Sequence, residues 1–150
     1  LKTGRLRDEK PLPDFMDDFG WCTWNAFYHQ VSHELVRQGL ESFKAGGVQP
    51  RFLILDDGWQ QVDRMPTGEI RLTGLGANAK FPGGLSATVR MAKEEFGIDH
   101  FSVWHAVLGY WGGVDGNALS ERVSLQPDRT SPGLYEGYFS APVSVRMTAR

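Results

Sequence analysis

Two adjacent carboxylates, Asp56 and Asp57, follow the apolar run Phe52-Leu53-Ile54-Leu55, and a tryptophan closes each of two other β-favouring runs, Trp24 before Asn25 and Trp104 before His105. A carboxylate accepts hydrogen bonds from neighbouring hydroxyls, and an indole offers its flat face to the apolar C–H face of a pyranose. The combination is the chemistry of a carbohydrate site. The pair would equally serve as a polar strand end, with Asp57 starting a turn into Gly58. It does not suit the acid/base work of a retaining glycosidase. Such carboxylates flank the scissile bond roughly 5 to 5.5 Å apart, whereas adjacent residues on a strand point to opposite faces.

The histidines offer a rival chemistry. His29 and His33 are four residues apart, a metal-ligand spacing on a helix, but Ser32 between them has the character of a helix cap, which separates their faces. A metal-dependent hydrolase using His29, Asp56 and His105 is therefore a weak alternative, and no metal or other cofactor is expected. His105 closes a strand and reads as a rim residue or a ligand contact.

The elements that must position these residues follow from periodicity. Residues 1–18 mix charge with Pro11 and Pro13 and read as a lead-in segment without regular structure. Phe19 to Trp24 reads as a strand and Asn25 to Gln30 as a loop. Ser32 then caps a helix in which Val36, Leu40 and Phe43 recur, stopped by Gly46 and Gly47. Phe52 to Leu55 lacks alternation, as expected of a parallel strand covered on both faces. Gln60 to Ala79 reads as a long loop, with Glu69 to Leu72 strand-like and a hairpin possible. Leu85, Val89, Ala92 and Phe96 mark a second helix ended by Gly97, and Ile98 to Val107 a third strand. Strand and helix alternate, which predicts a parallel α/β sheet. In such folds ligands lie at the carboxyl ends of the strands, so Trp24, Asn25, Asp56, Asp57, Trp104 and His105 would share one rim. The first connection lacks a Gly-rich dinucleotide fingerprint and is crowded by Trp21, Trp24 and Phe27, which favours a barrel over a doubly wound sheet.

Composition narrows the function classes. The net charge is -2 and basic residues are scattered, so no nucleic-acid partner is expected. No run approaches the roughly 18 apolar residues of a membrane span, and a cytoplasmic setting fits best. Cys22 is the single cysteine, leaving no internal disulfide or Cys-based metal site. Aromatic residues are abundant, with five Trp, nine Phe and four Tyr, as suits a large core or a sugar-stacking cleft.

Read as strings, Gly20-Trp21-Cys22-Thr23-Trp24-Asn25-Ala26-Phe27-Tyr28, Asp56-Asp57-Gly58-Trp59-Gln60, Lys80-Phe81-Pro82-Gly83-Gly84-Leu85, Trp104-His105-Ala106 and Gly109-Tyr110-Trp111-Gly112-Gly113 resemble the raffinose synthase and seed imbibition protein family, among the α-galactosidase-like enzymes of glycoside hydrolase family 36. The resemblance implies a (β/α)8 TIM barrel of which residues 19–113 supply the first three βα units, with 114–150 an irregular, weakly matched tail. It implies that the residues matching Asp56 and Asp57 bind galactose hydroxyls and that Trp59 lines the same pocket, with Trp24 and Asn25 nearby; plant members commonly carry Asp where this chain has Asn25. Expected ligands are α-galactosides such as raffinose-type oligosaccharides or galactinol. The family's Asp nucleophile and Asp acid/base follow later strands, and no matching string occurs here, since Asp115 and Asp128 lie in loop sequence. No catalytic residue is thus expected in this chain, and three strands are fewer than half the staves of a barrel. The expectation is a fragment of a retaining α-galactosidase or a raffinose-synthase-like galactosyltransferase; the alternative is a non-catalytic sugar-binding or inactive truncated product.

Overall fold

The structure, a computed structural model, describes residues 6–118 and the backbone of two further strands at 124–127 and 135–138. The chain divides into two units, Leu1–Trp59 with Lys80–Trp104, and Gln60–Ala79 with His105–Arg150.

The first unit is an α/β layer. Strands β1 (Gly20–Cys22), β2 (Phe52–Leu55) and β5 (His100–Val103) form a parallel sheet in the order β1-β2-β5. Helices α2 (His33–Ala45) and α3 (Gly84–Phe96) make the crossovers. They lie side by side, tied by the Arg37–Glu95 ion pair at 2.6 Å and by His33 Nδ1 with Thr88 Oγ1 at 2.9 Å, an arrangement only one face of the sheet allows. Sequence signals locate both helix ends. Ser32 Oγ accepts the Leu35 N–H at 3.1 Å, a side-chain cap. Gly97 closes α3 with φ 67°, a left-handed position suited to glycine.

Register fixes which residues meet the helices. Trp21 pairs with Leu53 and Leu53 with Phe101, so the three share a face, and Trp21 packs on α2 where Gly39 leaves room for the indole. Leu53 and Leu55 are fully buried, as are Val36 and Leu40 on α2 and Ile98 before β5. Each contributes about 1.5–3 kcal/mol by leaving water. The opposite face carries Cys22, Ile54 and Ser102 and, among the described residues, is only partly covered. The lead-in segment is also more ordered than expected. It folds into 3-10 turns at Arg7–Glu9 and Asp14–Asp17, and Phe15 stacks on Phe52 at 5.5 Å between ring centres, against the amino ends of the strands.

Further differences concern element limits. Trp24–Phe27 is a helical turn, α1, followed by a 3-10 turn at Tyr28–Gln30 rather than a loop. In α3 the buried positions are Thr88, Met91 and Ala92, while Leu85, Val89 and Phe96 are partly exposed. The third strand stops at Val103.

In the second unit the expected long loop is a hairpin of β3 (Gln60–Arg64) and β4 (Ile70–Ala77), antiparallel and bulged near Gln61. Val114 bridges Leu72 in parallel, and Gly112 N–H donates to the Ile70 carbonyl at 2.9 Å, so the glycine-rich segment runs along β4. Strands β6 (Ser124–Pro127) and β7 (Tyr135–Tyr138) pair antiparallel within the tail expected to be irregular; Asp128 lies outside the described residues. Among the described residues, no helix is long and apolar enough to cross a membrane.

Candidate functional site

The carboxyl ends of the three parallel strands are laced together beyond the strands themselves. Thr23 N–H donates to the Ile54 carbonyl at 3.1 Å, and Trp104 N–H to the Leu55 carbonyl at 2.8 Å, so the ladder runs on to the residues that bear the site. Thr23 is completely buried, and its hydroxyl accepts the Asp56 N–H at 3.0 Å. A buried threonine at the end of β1 therefore sets where the chain leaves β2.

From that point Asp56 and Asp57 diverge. Asp56 turns toward β1. Its Oδ2 accepts the Cys22 thiol at 3.1 Å and its Oδ1 the Asp57 N–H at 2.7 Å. Partial burial pushes the Cys22 thiol above its usual range; a backbone hydrogen bond at Trp24 opposes this, and the Asp56 carboxylate adds to it. Asp57 is buried, with a side chain 3% exposed, and its Oδ2 lies 3.2 Å from His29 Nε2. A carboxylate only accepts, so the imidazole donates from Nε2 in this pair.

His29 is held in turn. Lys80 Nζ donates to its carbonyl, and its ring lies edge-on to Trp24 at 4.9 Å. Gly58, at φ 119°, brings its backbone so close to His29 that an added Cβ would lie 2.9 Å from the His29 Cα and carbonyl oxygen. Burial lowers the pKa of Lys80, and the charge of Asp57 partly offsets that. Trp24 also meets Tyr28 edge-on at 5.2 Å, and Tyr28 has φ 45°, the one positive value among the described non-glycine residues. Trp59 is buried and donates from Nε1 to the Trp104 carbonyl at 2.9 Å, tying the turn after β2 to the end of β5.

Of the residues singled out in the sequence, Asp56, Asp57, Trp59, Trp24 and Trp104 thus lie at adjoining strand ends of one unit. Asn25 is exposed on α1. His105 belongs to the second unit, is exposed, and pairs its Nδ1 with the neighbouring Ala106 carbonyl at 2.8 Å. Two residues that the sequence reasoning did not place at the site are there, Cys22 and Thr23, and His29, which it weighed only as a metal ligand, is there as a partner of Asp57. His33, the proposed metal partner of His29, instead pairs with Thr88, and among the described residues no group of three or more His, Cys, Asp or Glu is arranged to hold a metal ion.

Carboxylates fixed by protein donors at strand ends, beside an indole, make an acceptor surface for hydroxyls. Residues 1–145 match the family described as raffinose synthase or seed imbibition protein Sip1. The chain belongs to that family. It is 47% identical over 130 residues to a probable galactinol–sucrose galactosyltransferase 6 of Arabidopsis thaliana, covering 76% of this chain and 17% of the relative. It is 38% identical over 157 residues to the galactinol–sucrose galactosyltransferase of Oryza sativa subsp. japonica, covering 89% of this chain and 20% of the relative. This family member therefore spans about a fifth of the length of the curated relatives it matches. Among solved structures, the α-galactosidase TtGalA from Thermus thermophilus, in complex with p-nitrophenyl α-D-galactopyranoside, aligns at TM-score 0.48 and 19% identity over 73% of this chain and 20% of that one.

Proposed function

We propose that this chain is the galactose-holding first part of an α-galactoside-processing enzyme, built as the opening three βα units of a (β/α)8 barrel. The strand order β1-β2-β5 with both helices on one face supports the barrel, because a doubly wound sheet places helices on both faces. Asp56, Asp57, Trp24, Asn25, Trp59 and Trp104 are its sugar contacts, and galactinol or raffinose-type oligosaccharides, in a cytoplasmic setting, are its ligands. The relatives' names, galactinol–sucrose galactosyltransferase, favour transfer over hydrolysis; the two reactions share a glycosyl-enzyme intermediate and differ in whether a sugar or water attacks it.

One observation carries the reading: the turn after β2 presents two carboxylates, each oriented by a named donor, one of them His29, whose ring stands edge-on to Trp24. The same observation favours a binding role for this chain taken alone. Asp56 and Asp57 leave one turn in different directions and do not face each other across a gap.

Titration of the 15N-labelled chain with methyl α-D-galactopyranoside tests the proposal. Millimolar binding, corresponding to about 4 kcal/mol, is expected, with shifts at the Asp56 and Asp57 amides and the Trp24 indole. Asp57→Asn should weaken it about 10-fold or more, the cost of a charge-assisted hydrogen bond. Methyl α-D-glucopyranoside, the C4 epimer, should bind less well; an equal response to both sugars, or none to either, would refute the reading.

A further inference from the structure

We propose that His29 is a positioning residue for Asp57: its imidazole Nε2 holds Oδ2 of the buried carboxylate, so that Asp57 meets a ligand hydroxyl in one fixed orientation. The role in ligand binding rests on the reading of Asp57 as a sugar contact, whereas the positioning itself does not.

A carboxylate out of water needs a partner, and its rotamer follows whichever donor supplies one. Asp57 is 3% exposed at its side chain and His29 is 58% exposed, so the imidazole is no core filler. It is nonetheless fixed from several sides. Its ring stands edge-on to Trp24, its carbonyl accepts the Lys80 ammonium, and the backbone of Gly58 lies against its main chain. Tyr28, immediately before it, has positive φ, a backbone conformation that persists in a non-glycine residue only where surrounding contacts hold it. Of these partners, Lys80 meets the His29 backbone and Asp57 its ring. These restraints come from three chain segments and aim one N–H at Oδ2.

Because His29 is exposed, truncating it opens no buried cavity, and its loss can be read as loss of a donor. The three-bond coupling between the Asp57 amide nitrogen and Cγ reports the χ1 rotamer and needs no ligand. The unsubstituted chain and His29→Gln, which retains an N–H donor, should show one rotamer; His29→Ala should show an average. The dissociation constant for methyl α-D-galactopyranoside should rise about 5- to 20-fold in His29→Ala and stay within about 2-fold in His29→Gln. In an Asp57→Asn background His29→Ala should have no further effect on affinity. A single Asp57 rotamer surviving in His29→Ala, a failure of His29→Gln to restore it, or an undiminished effect in the Asp57→Asn background would overturn the proposal. If no galactoside binds the unsubstituted chain, the functional reading fails while the coupling still decides the role of His29.

Discussion

Gly58→Ala should disrupt the site more than any glycine change of similar backbone geometry elsewhere in the first unit. At φ 119° Gly58 occupies a region that L-residues rarely enter, which costs about 1–3 kcal/mol. The new methyl would also lie 2.9 Å from both the Cα and the carbonyl oxygen of His29. Those are backbone atoms, so no side-chain rotation relieves the contact, and overpacking of this kind costs a further 1–3 kcal/mol or so. Reduced freedom of the unfolded chain returns about 0.4–1 kcal/mol. The net expectation is a destabilisation of about 3 kcal/mol. Gly47→Ala is the control: Gly47 has φ 70° with nothing within 4 Å of an added Cβ, and should cost only the left-handed penalty of about 1 kcal/mol. With a urea dependence of about 1–3 kcal/mol per molar, the two midpoints should differ by about 1 M. Trp111 lies in the second unit, so both variants are best measured in a Trp111→Phe background, where tryptophan fluorescence reports the first unit alone. Equal midpoints for Gly58→Ala and Gly47→Ala would refute the claim that the turn after β2 is clamped against His29.

Thr23→Val keeps the shape of a fully buried residue but removes the acceptor of the Asp56 N–H; a loss of about 1–3 kcal/mol is expected in urea denaturation, largely restored by Thr23→Ser. The Arg37 guanidinium, by hydrogen bonding, holds the Glu95 carboxyl below its ordinary range. A depressed carboxyl contributes stability above its unfolded pKa and loses it as pH falls through the folded one. The difference in urea midpoint between the unsubstituted chain and Glu95→Gln should thus be present at neutral pH and close as the solution is taken below about pH 4. A gap that persists in strong acid would contradict this.

What the sequence showed plainly was local. Ser32 and Gly97 mark helix ends through bonds to residues within a few positions, and the Phe52 to Leu55 run shows a strand without reference to the rest of the chain. What it hid depended on partners far away. The α1 turn carries no side-chain cap, because Thr23, which stands at its start, spends its hydroxyl on Asp56, 33 residues on. Strand β4 passes through Gly74 and Gly76, residues that argue against a strand; Gly74 is there because the Gln61 side chain of β3 fills the space a Cβ would need. In α3, Thr88 is buried through its bond to His33, 55 residues away, and this turns the helix face away from the apolar set of Leu85 and Val89.

His29 shows most clearly why the candidate site was only half legible. Spacing invites pairing it with His33, yet the two rings serve different partners on different elements: Asp57 after β2 for one, Thr88 on α3 for the other. The carboxylates were visible because they end an apolar run; the roles of the groups that fix them, the Cys22 thiol and His29 imidazole as donors and the Thr23 hydroxyl as acceptor of the Asp56 N–H, were not, because each lies about 30 residues away across a crossover. This division follows from parallel topology. A parallel strand gains its neighbour only after a helix has returned the chain, so the groups that converge at a rim are separated in sequence by at least one crossover. It also bears on chemistry. A nucleophile or proton donor must keep an oxygen available to the reacting atoms, whereas Asp56 already has a protein donor on each oxygen and Asp57 has one on Oδ2. Under the proposed function, carboxylates restrained in this way are fixed acceptors for sugar hydroxyls rather than the bond-breaking pair.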